Sequence, residues 1–336
     1  MIKKVNYYFL FLILILFFIS IFSLSIGDSQ LSFSQTICSL FGQRGQFNSL
    51  IVQDIRLPRI IVAILGGGAL GISGLLLQTL TANPLADSSI LGVNTGAGFI
   101  VTLLIITTPF GESLTFKFIP ILAIVGAYFI ILILYYLSLN KDKKINTYKL
   151  IITGVAISIM LSGLMISLTG NINLYKMTYI INWLNGQING DNWETITLIV
   201  PILIILIVIS YSNWLPFNIM QLNDDSVKSI GVNLNFKRQL ILFLSTSLSA
   251  LSIVMIGNIS FIGLLSTHIS RVLVGQNYKL LIPSTLLIGA LILLISDTIT
   301  RVFLVGTTIP TGLIVTLIGS PYFIFLLIQS KTFKLH

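Results

Sequence analysis

The sequence predicts an all-α integral membrane protein, one polytopic domain over residues 1–336 that crosses the bilayer about ten times. Three observations predict it. Only 9% of the 336 residues are charged and 55% are hydrophobic, against about 25% charged in soluble domains. Apolar runs of the length that spans hydrocarbon as a helix, about 20 residues, recur along the chain. Lysine and arginine gather on alternate connections between those runs, as the positive-inside tendency requires.

The elements follow in order. Lys3 and Lys4 precede an apolar run over 5–26. That run exceeds the apolar core of a signal peptide, about 7–15 residues, and Ser25-Ile26-Gly27 makes a poor cleavage site, so it reads as a retained first helix. A polar outer loop over 27–57 with room for a short surface helix comes next. Spans are predicted at 58–80, 116–138, 147–169, 193–213, 237–257, 280–299 and 310–329. Weaker segments at 90–108 and 258–268 complete ten. The phrase Gly257-Asn258-Ile259-Ser260-Phe261-Ile262-Gly263 breaks the apolar pattern and reads as discontinuous backbone, tolerated in a membrane only against protein or water. With the N-terminus inside, 13 of the 19 Lys and Arg residues fall on inner segments, Asn140-Lys141-Asp142-Lys143-Lys144 being the strongest anchor. Both termini are thereby predicted to be cytoplasmic.

Several function classes drop out. The net charge of +9 is explained by membrane topology, leaving no case for nucleic acid. Cys38 is the one cysteine, which excludes an intrachain disulfide and a tetrahedral thiolate site. His268 has only the terminal His336 as a companion, so no metal site is expected, nor any catalytic residue. The pattern G-x-x-x-x-G-K-[ST] is absent, so no ATP or magnesium site is expected in this chain. Gly66, Gly68 and Gly71 match G-x-G-x-x-G, but inside an apolar helix with no strand before it. They read instead as packing glycines. Gly67 and Gly71 make G-x-x-x-G and Gly74 extends the stripe, while Gly92/Gly96 and Gly154/Ser158/Ser162 repeat the device. Asp297 is the one acid clearly within a predicted span, with Arg301 four residues on to pair with it. The carboxylates of a proton relay are missing.

Two clusters remain. Arg56, Arg59 and Arg301 mark the outer face against the charge rule. They either snorkel to anchor helix ends or offer guanidinium groups to acidic residues of a partner. In the inner segment 214–236, Pro216 ends the preceding helix and Asn223 can cap a new one. Asp224 and Asp225 suit its first turn, Val227 and Ile230 share an apolar face beside Lys228, and Gly231 can close it. Too short to stand alone, this helix reads as a knob for another protein's groove or as a loop folded on the membrane surface.

These residues resemble the permease subunits of the iron–siderophore, haem and cobalamin ATP-binding-cassette importers, with a vitamin B12 importer-like fold, over about 50–330. The resemblance rests on an ordered set: Arg56-Leu57-Pro58-Arg59, Gly71 through Gln78, Asn83-Pro84-Leu85-Ala86-Asp87 with Leu91-Gly92, Trp183 with Gly186, Asp224 through Gly231, and Phe261-Ile262-Gly263-Leu264. His268-Ile269-Ser270-Arg271, Ser296-Asp297-Thr298 with Arg301, and Pro310-Thr311-Gly312 leading to Gly319-Ser320-Pro321 complete it. It implies a type II importer permease in the cell membrane, paired with a second permease subunit, identical or paralogous. It further implies two cytoplasmic ATPase subunits binding ATP and magnesium, and an extracytoplasmic substrate-binding lipoprotein. Arg56, Arg59 and Arg301 would receive that binding protein, 216–231 would seat in the ATPase, and about 154–185 would line and gate the channel. Iron(III)–siderophore ligands are the expected cargo, with haem or cobalamin as alternatives and an ion-coupled secondary transporter as the rival. Two positions depart from the pattern: Thr267 stands where the family has proline, and Thr307-Thr308-Ile309 where it has an acid before Pro310.

Overall fold

The structure, a computed structural model, describes residues 2–27, 31–40, 46–107, 113–141, 145–170, 172–188, 192–303 and 309–333. In hydrocarbon every backbone polar group must find its partner within protein, so apolar runs become helices. In order these are α1 (Ile2–Ser25), α2 (Phe33–Leu40), α3 (Gln46–Leu50), α4 (Leu57–Thr81), α5 (Val93–Thr107), α6 (Ser113–Ser138), α7 (Thr147–Thr169) and α8 (Leu174–Leu184). Then come α9 (Trp193–Ser212), α10 (Trp214–Ile219), α11 (Asp224–Ser229), α12 (Leu234–Ile256), α13 (Ile262–Val274), α14 (Tyr278–Phe303) and α15 (Thr311–Phe333). Among the described residues seven helices are long and apolar enough to cross a membrane, and α5, α13 and α15 supply shorter apolar stretches. Together they are the ten segments the sequence predicts.

Three boundaries differ. Residues 46–56, assigned to the outer loop, are helical, with a π-helical turn over Ile51–Arg56 leading straight into α4. Leu57-Pro58 sits where proline is harmless, since the first N–H groups of a helical turn need no internal acceptor. Pro216 does not end the preceding helix. That helix stops at Ser212, and Pro216 lies in the first turn of α10. The short segment begins at Ile262 rather than 258, because residues 257–261 are the break itself.

The interior is α4 with α12, α13 and α14 wrapped against it, and glycine decides the approach. A Cβ on Gly67 would lie 2.5 Å from the Gly289 carbonyl oxygen, one on Gly71 2.7 Å from that of Thr285, and one on Gly74 2.5 Å from the Cα of Gly263. The predicted stripe is thus the seam between α4 and its neighbours, as small residues allow in lipid. Gly96 and Gly126 do the same for α5 and α6, where a Cβ on Gly126 would lie 2.7 Å from the Gly96 oxygen. A Cβ on Gly92 would lie 2.8 Å from Ser158 Oγ and 3.3 Å from the Gly154 oxygen, so these two pack as expected. Ser162 is half-buried further along α7.

Hydroxyls fill the same interior. Ser245, Thr246, Ser247, Ser249 and Ser252 of α12 are buried. Ser73 donates to the Ser245 oxygen at 2.6 Å, Tyr128 to Ser247 at 2.7 Å, and Ser252 to the Leu248 oxygen at 2.7 Å. By contrast α7 and α8 stand at the edge. Ile152, Ile159 and Ile166 of α7 are 69%, 69% and 73% exposed.

The predicted break is real and its polar groups are matched by protein. Gly257 (φ 74°) ends α12 and Phe261 (φ 70°) opens α13. Asn258 N–H donates to the Trp183 oxygen at 3.3 Å, Asn94 donates to the Asn258 side-chain oxygen at 2.8 Å, and Phe261 N–H donates to the Asp87 carboxylate at 3.2 Å. Gly66 packs on Ile256 and Gly74 on Gly263, which places the break level with the middle of α4.

Candidate functional site: the segment 214–236 and the arginine–aspartate cluster

Helix α10 plugs into the body through Phe217, fully buried and edge-on to Tyr278 at 6.0 Å between ring centres. The next helix, α11, begins at Asn223, which has the extended backbone of a cap but whose side chain makes no cap hydrogen bond. The helix is secured instead by Asp224, whose two oxygens accept from Arg238 Nη2 at 3.0 and 3.1 Å. Asp225 pairs with Lys228 at 3.1 Å on the surface.

Gly231 closes α11 as predicted. At φ +86° its N–H donates to the Lys228 oxygen at 2.9 Å, and Val232 N–H donates to the Val227 oxygen at 3.3 Å. This is the paired bond of a Schellman turn, which needs a residue free to take positive φ. The shared apolar face of Val227 and Ile230 does not form. Val227 is completely buried where α11 packs on α12, while Ile230 is 55% exposed. A six-residue helix has a single inward stripe, and Val227 occupies it. The outward surface is therefore Leu222, Asp225, Lys228 and Ile230.

Amide side chains bind this segment to the turn between α13 and α14. Asn218 accepts from Tyr278 N–H at 2.9 Å and donates to Asn277 at 3.1 Å, and Gln221 donates to the Gln276 carbonyl at 3.0 Å. Arg271, in the last turn of α13, donates to the Gln276 side chain at 2.9 Å. The Tyr278 hydroxyl meets Thr79 of α4. A cleft of about 680 Å³ opens between these groups, lined by Thr79, Asn83, Asn223, Arg238 and Arg271.

Within the chain the three arginines are fasteners. Asp297 is fully buried and takes Arg59 (Nε, 3.0 Å) on one oxygen and Arg301 (Nε, 3.0 Å) on the other. Thr311 donates to the same carboxylate at 3.3 Å, and Arg301 also bonds Ser23. The cluster ties α1, α4, α14 and α15. Arg56 is only 4% exposed. It donates to the Leu24 oxygen at 2.7 Å, with Gly27 lying over its guanidinium. Arg56 is enclosed, and Arg59 and Arg301 present only edges, with 21% and 15% of their side chains exposed.

His268 Nδ1 meets the Tyr322 hydroxyl at 2.6 Å. Thr267 is fully buried. Thr307, Thr308 and the lysine pair 143–144 lie outside the described residues. The sequence names Asp87 only as a member of a motif, without its contact, and does not single out Asn94, Asn218 and Gln221. The available signal was that each is a polar residue beside an apolar run.

Seven long apolar helices and three shorter ones among the described residues, with a break matched by protein, define a multi-pass membrane protein, and its family is one of transport permeases. The chain belongs to the FecCD transport family, whose model matches residues 12–329. Among its relatives it is 35% identical to the Fe(3+)-citrate import system permease protein YfmE of Bacillus subtilis, over 95% of this chain and 93% of that one. It is 31% identical to the iron(3+)-hydroxamate import permease FhuG of the same organism, over 95% of each. It is 32% identical to IsdF of Staphylococcus aureus, named for heme-iron transport, over 98% of each. A solved inward-facing structure, described as a metal-chelate type ABC transporter, matches with a TM-score of 0.80 at 29% identity, over 97% of this chain and 98% of that one.

Proposed function

We propose that the chain is the permease subunit of an ATP-driven importer for iron(III)-chelate ligands of the siderophore type. It works in the cell membrane beside a second permease chain, identical or paralogous, with two cytoplasmic ATPase subunits and an extracytoplasmic binding lipoprotein. Both termini face the cytoplasm. The observation that carries this reading is α11. It is closed at its C-terminal end, clamped to the body through Asp224–Arg238 and the Asn218–Gln221 amides, and it presents Ile230 outward. Such a rigid exposed knob suits a groove in another protein, and the sequence has no phosphate-binding loop of its own.

The second permease chain belongs on α7 and α8. Gly163 of α7 has open space where its Cβ would be, and Ser167 beside it is exposed. Small residues on an outward face favour close helix approach rather than lipid contact. The secondary-transporter rival finds less support among the described residues. The acids buried among the described residues, Asp87 and Asp297, are both engaged in hydrogen bonds.

Ile230→Asp is the decisive variant, because it alters the knob without touching the core. Loss of ATPase co-purification, and of ATP-dependent uptake of ferric citrate and ferric hydroxamate, with normal membrane insertion, is the expected result. Normal assembly and uptake would remove the coupling role. Val227→Asp is expected to do something different, namely to unfold α11 itself, seen as proteolytic cleavage near 224–229. Comparing uptake of ferric citrate, a ferric hydroxamate and haem identifies the cargo.

A further inference from the structure

Helix α13 is tied at both ends to the two regions that the proposed mechanism must link. At its inner end Arg271 holds Gln276, and Gln276 with Asn277 and Tyr278 holds Gln221 and Asn218 of the segment carrying α11. At its other end the Asp87 carboxylate bonds Phe261 N–H at the start of the helix, where the dipole favours an anion. Gly263 lets that carboxylate in, since a Cβ there would lie 2.6 Å from Asp87 Oδ1.

Immediately beyond that seat the chain rests on α8. Asn258 N–H donates to the Trp183 oxygen. A Cβ on Gly257 would lie 2.9 Å from the oxygens of both Trp183 and Gln187, and one on Gly186 2.9 Å from the Asn258 oxygen and 3.2 Å from the Cα of Gly312. Three backbones thus touch at Gly186, Gly257 and Gly312, with Gly312 N–H donating to the Gly186 oxygen at 3.0 Å. Between its ends α13 is about 20 Å long. Residues 264–274 contain neither glycine nor proline, so the helix has no site at which kinks usually occur.

We propose that α13 is a strut that carries displacement of the coupling segment to α8, with Arg271, Gln221 and Asn218 as positioning residues at its inner end and Asp87 at its seat. This rests on the coupling role proposed above and on the gating of the channel by about 154–185 that the family resemblance implies. The strut predicts that cutting its inner attachment separates two movements that otherwise occur together.

The test uses the assembled importer with Cys38→Ser and two spin-label pairs at exposed positions: Leu215→Cys with Tyr136→Cys for the coupling segment, and Tyr175→Cys with Ile121→Cys for α8. Distances are measured by pulsed electron resonance without nucleotide and with Mg-ATP plus vanadate. With the strut intact both pairs shift, by about 2 Å or more. In Asn218→Ala/Gln221→Ala the inner pair still shifts and the α8 pair loses more than half of its response. Arg271→Gln gives the same separation and Arg271→Lys restores part of it. Should the double variant fail to assemble, Gln276→Ala in the exposed turn serves instead, read with Arg271→Gln. An α8 response equal to that of the unaltered importer in these variants overturns the strut. An inner shift without any α8 shift in the unaltered importer also overturns it. Absence of the inner shift there overturns the coupling role first.

Discussion

Helices α4 and α7 are both apolar enough to cross a membrane, yet one is the centre of the molecule and the other its margin. Most of α4 is buried, and its contacts are made through glycine backbones at 67, 71 and 74. Only Leu150, Gly154, Leu161 and Met165 of α7 are buried, and bulky side chains such as Ile152, Ile159 and Ile166 face outward. In water an apolar face identifies the buried side. In lipid both sides are apolar, so small residues and hydroxyls mark the interior instead.

The comparison can be broken most severely at the core's charge cluster. Asp297→Ala leaves Arg59 and Arg301 close together without their counter-ion, and removing one partner of a buried pair costs about 3–5 kcal/mol. A markedly lower thermal unfolding midpoint in detergent is expected. Asp225→Ala, in a pair on the surface, is expected to leave the midpoint nearly unchanged. Equal effects would mean that the Asp297 cluster carries no more load than a surface pair.

Next in size is a glycine contrast. Gly67→Val pushes a side chain into the Gly289 backbone and is expected to cost about 1–3 kcal/mol or more, as overpacking does. Gly163→Val meets open space and is expected to leave isolated-chain stability close to that of the parent, while weakening association with a second permease. A smaller effect tests the margin directly. Ile159→Cys in a Cys38→Ser background is expected to form an intermolecular disulfide under mild oxidation if α7 faces a second copy of this chain. Only monomer would assign that face to lipid or to a different chain. The smallest effect is at Gly231, where nothing crowds a Cβ but φ is +86°. Gly231→Ala carries only the left-handed backbone penalty, about 1 kcal/mol. Roughly five-fold faster amide exchange in 224–229 is the expected reading.

What the sequence disclosed followed from local chemistry. The ten apolar segments, the break before Gly263, the glycine stripe of α4 and the closure at Gly231 each depend on residues a few positions apart. What it concealed depended on distance along the chain. Asp297 has a visible partner in Arg301 four residues on, but Arg59, 238 positions away, was unforeseeable. Val227 and Ile230 look equivalent on a helical wheel, and only the packing of α11 on α12 separates them. Arg56 and Arg59 share one short motif, yet one is enclosed against Leu24 and the other reaches a carboxylate. The role of Asp87 was hidden because its partner is a backbone N–H, which any residue carries.

The interrupted stretch 257–274 also bears on how the protein is made. Its helix has 13 residues, too few to commit to the bilayer as an independent unit, and its opening turn leaves backbone groups that hydrocarbon cannot accept. Asp87, Asn94 and Trp183, which receive those groups or brace them, are all synthesised earlier. Biogenesis therefore has a built-in order, in which this piece settles only after its hosts have been delivered.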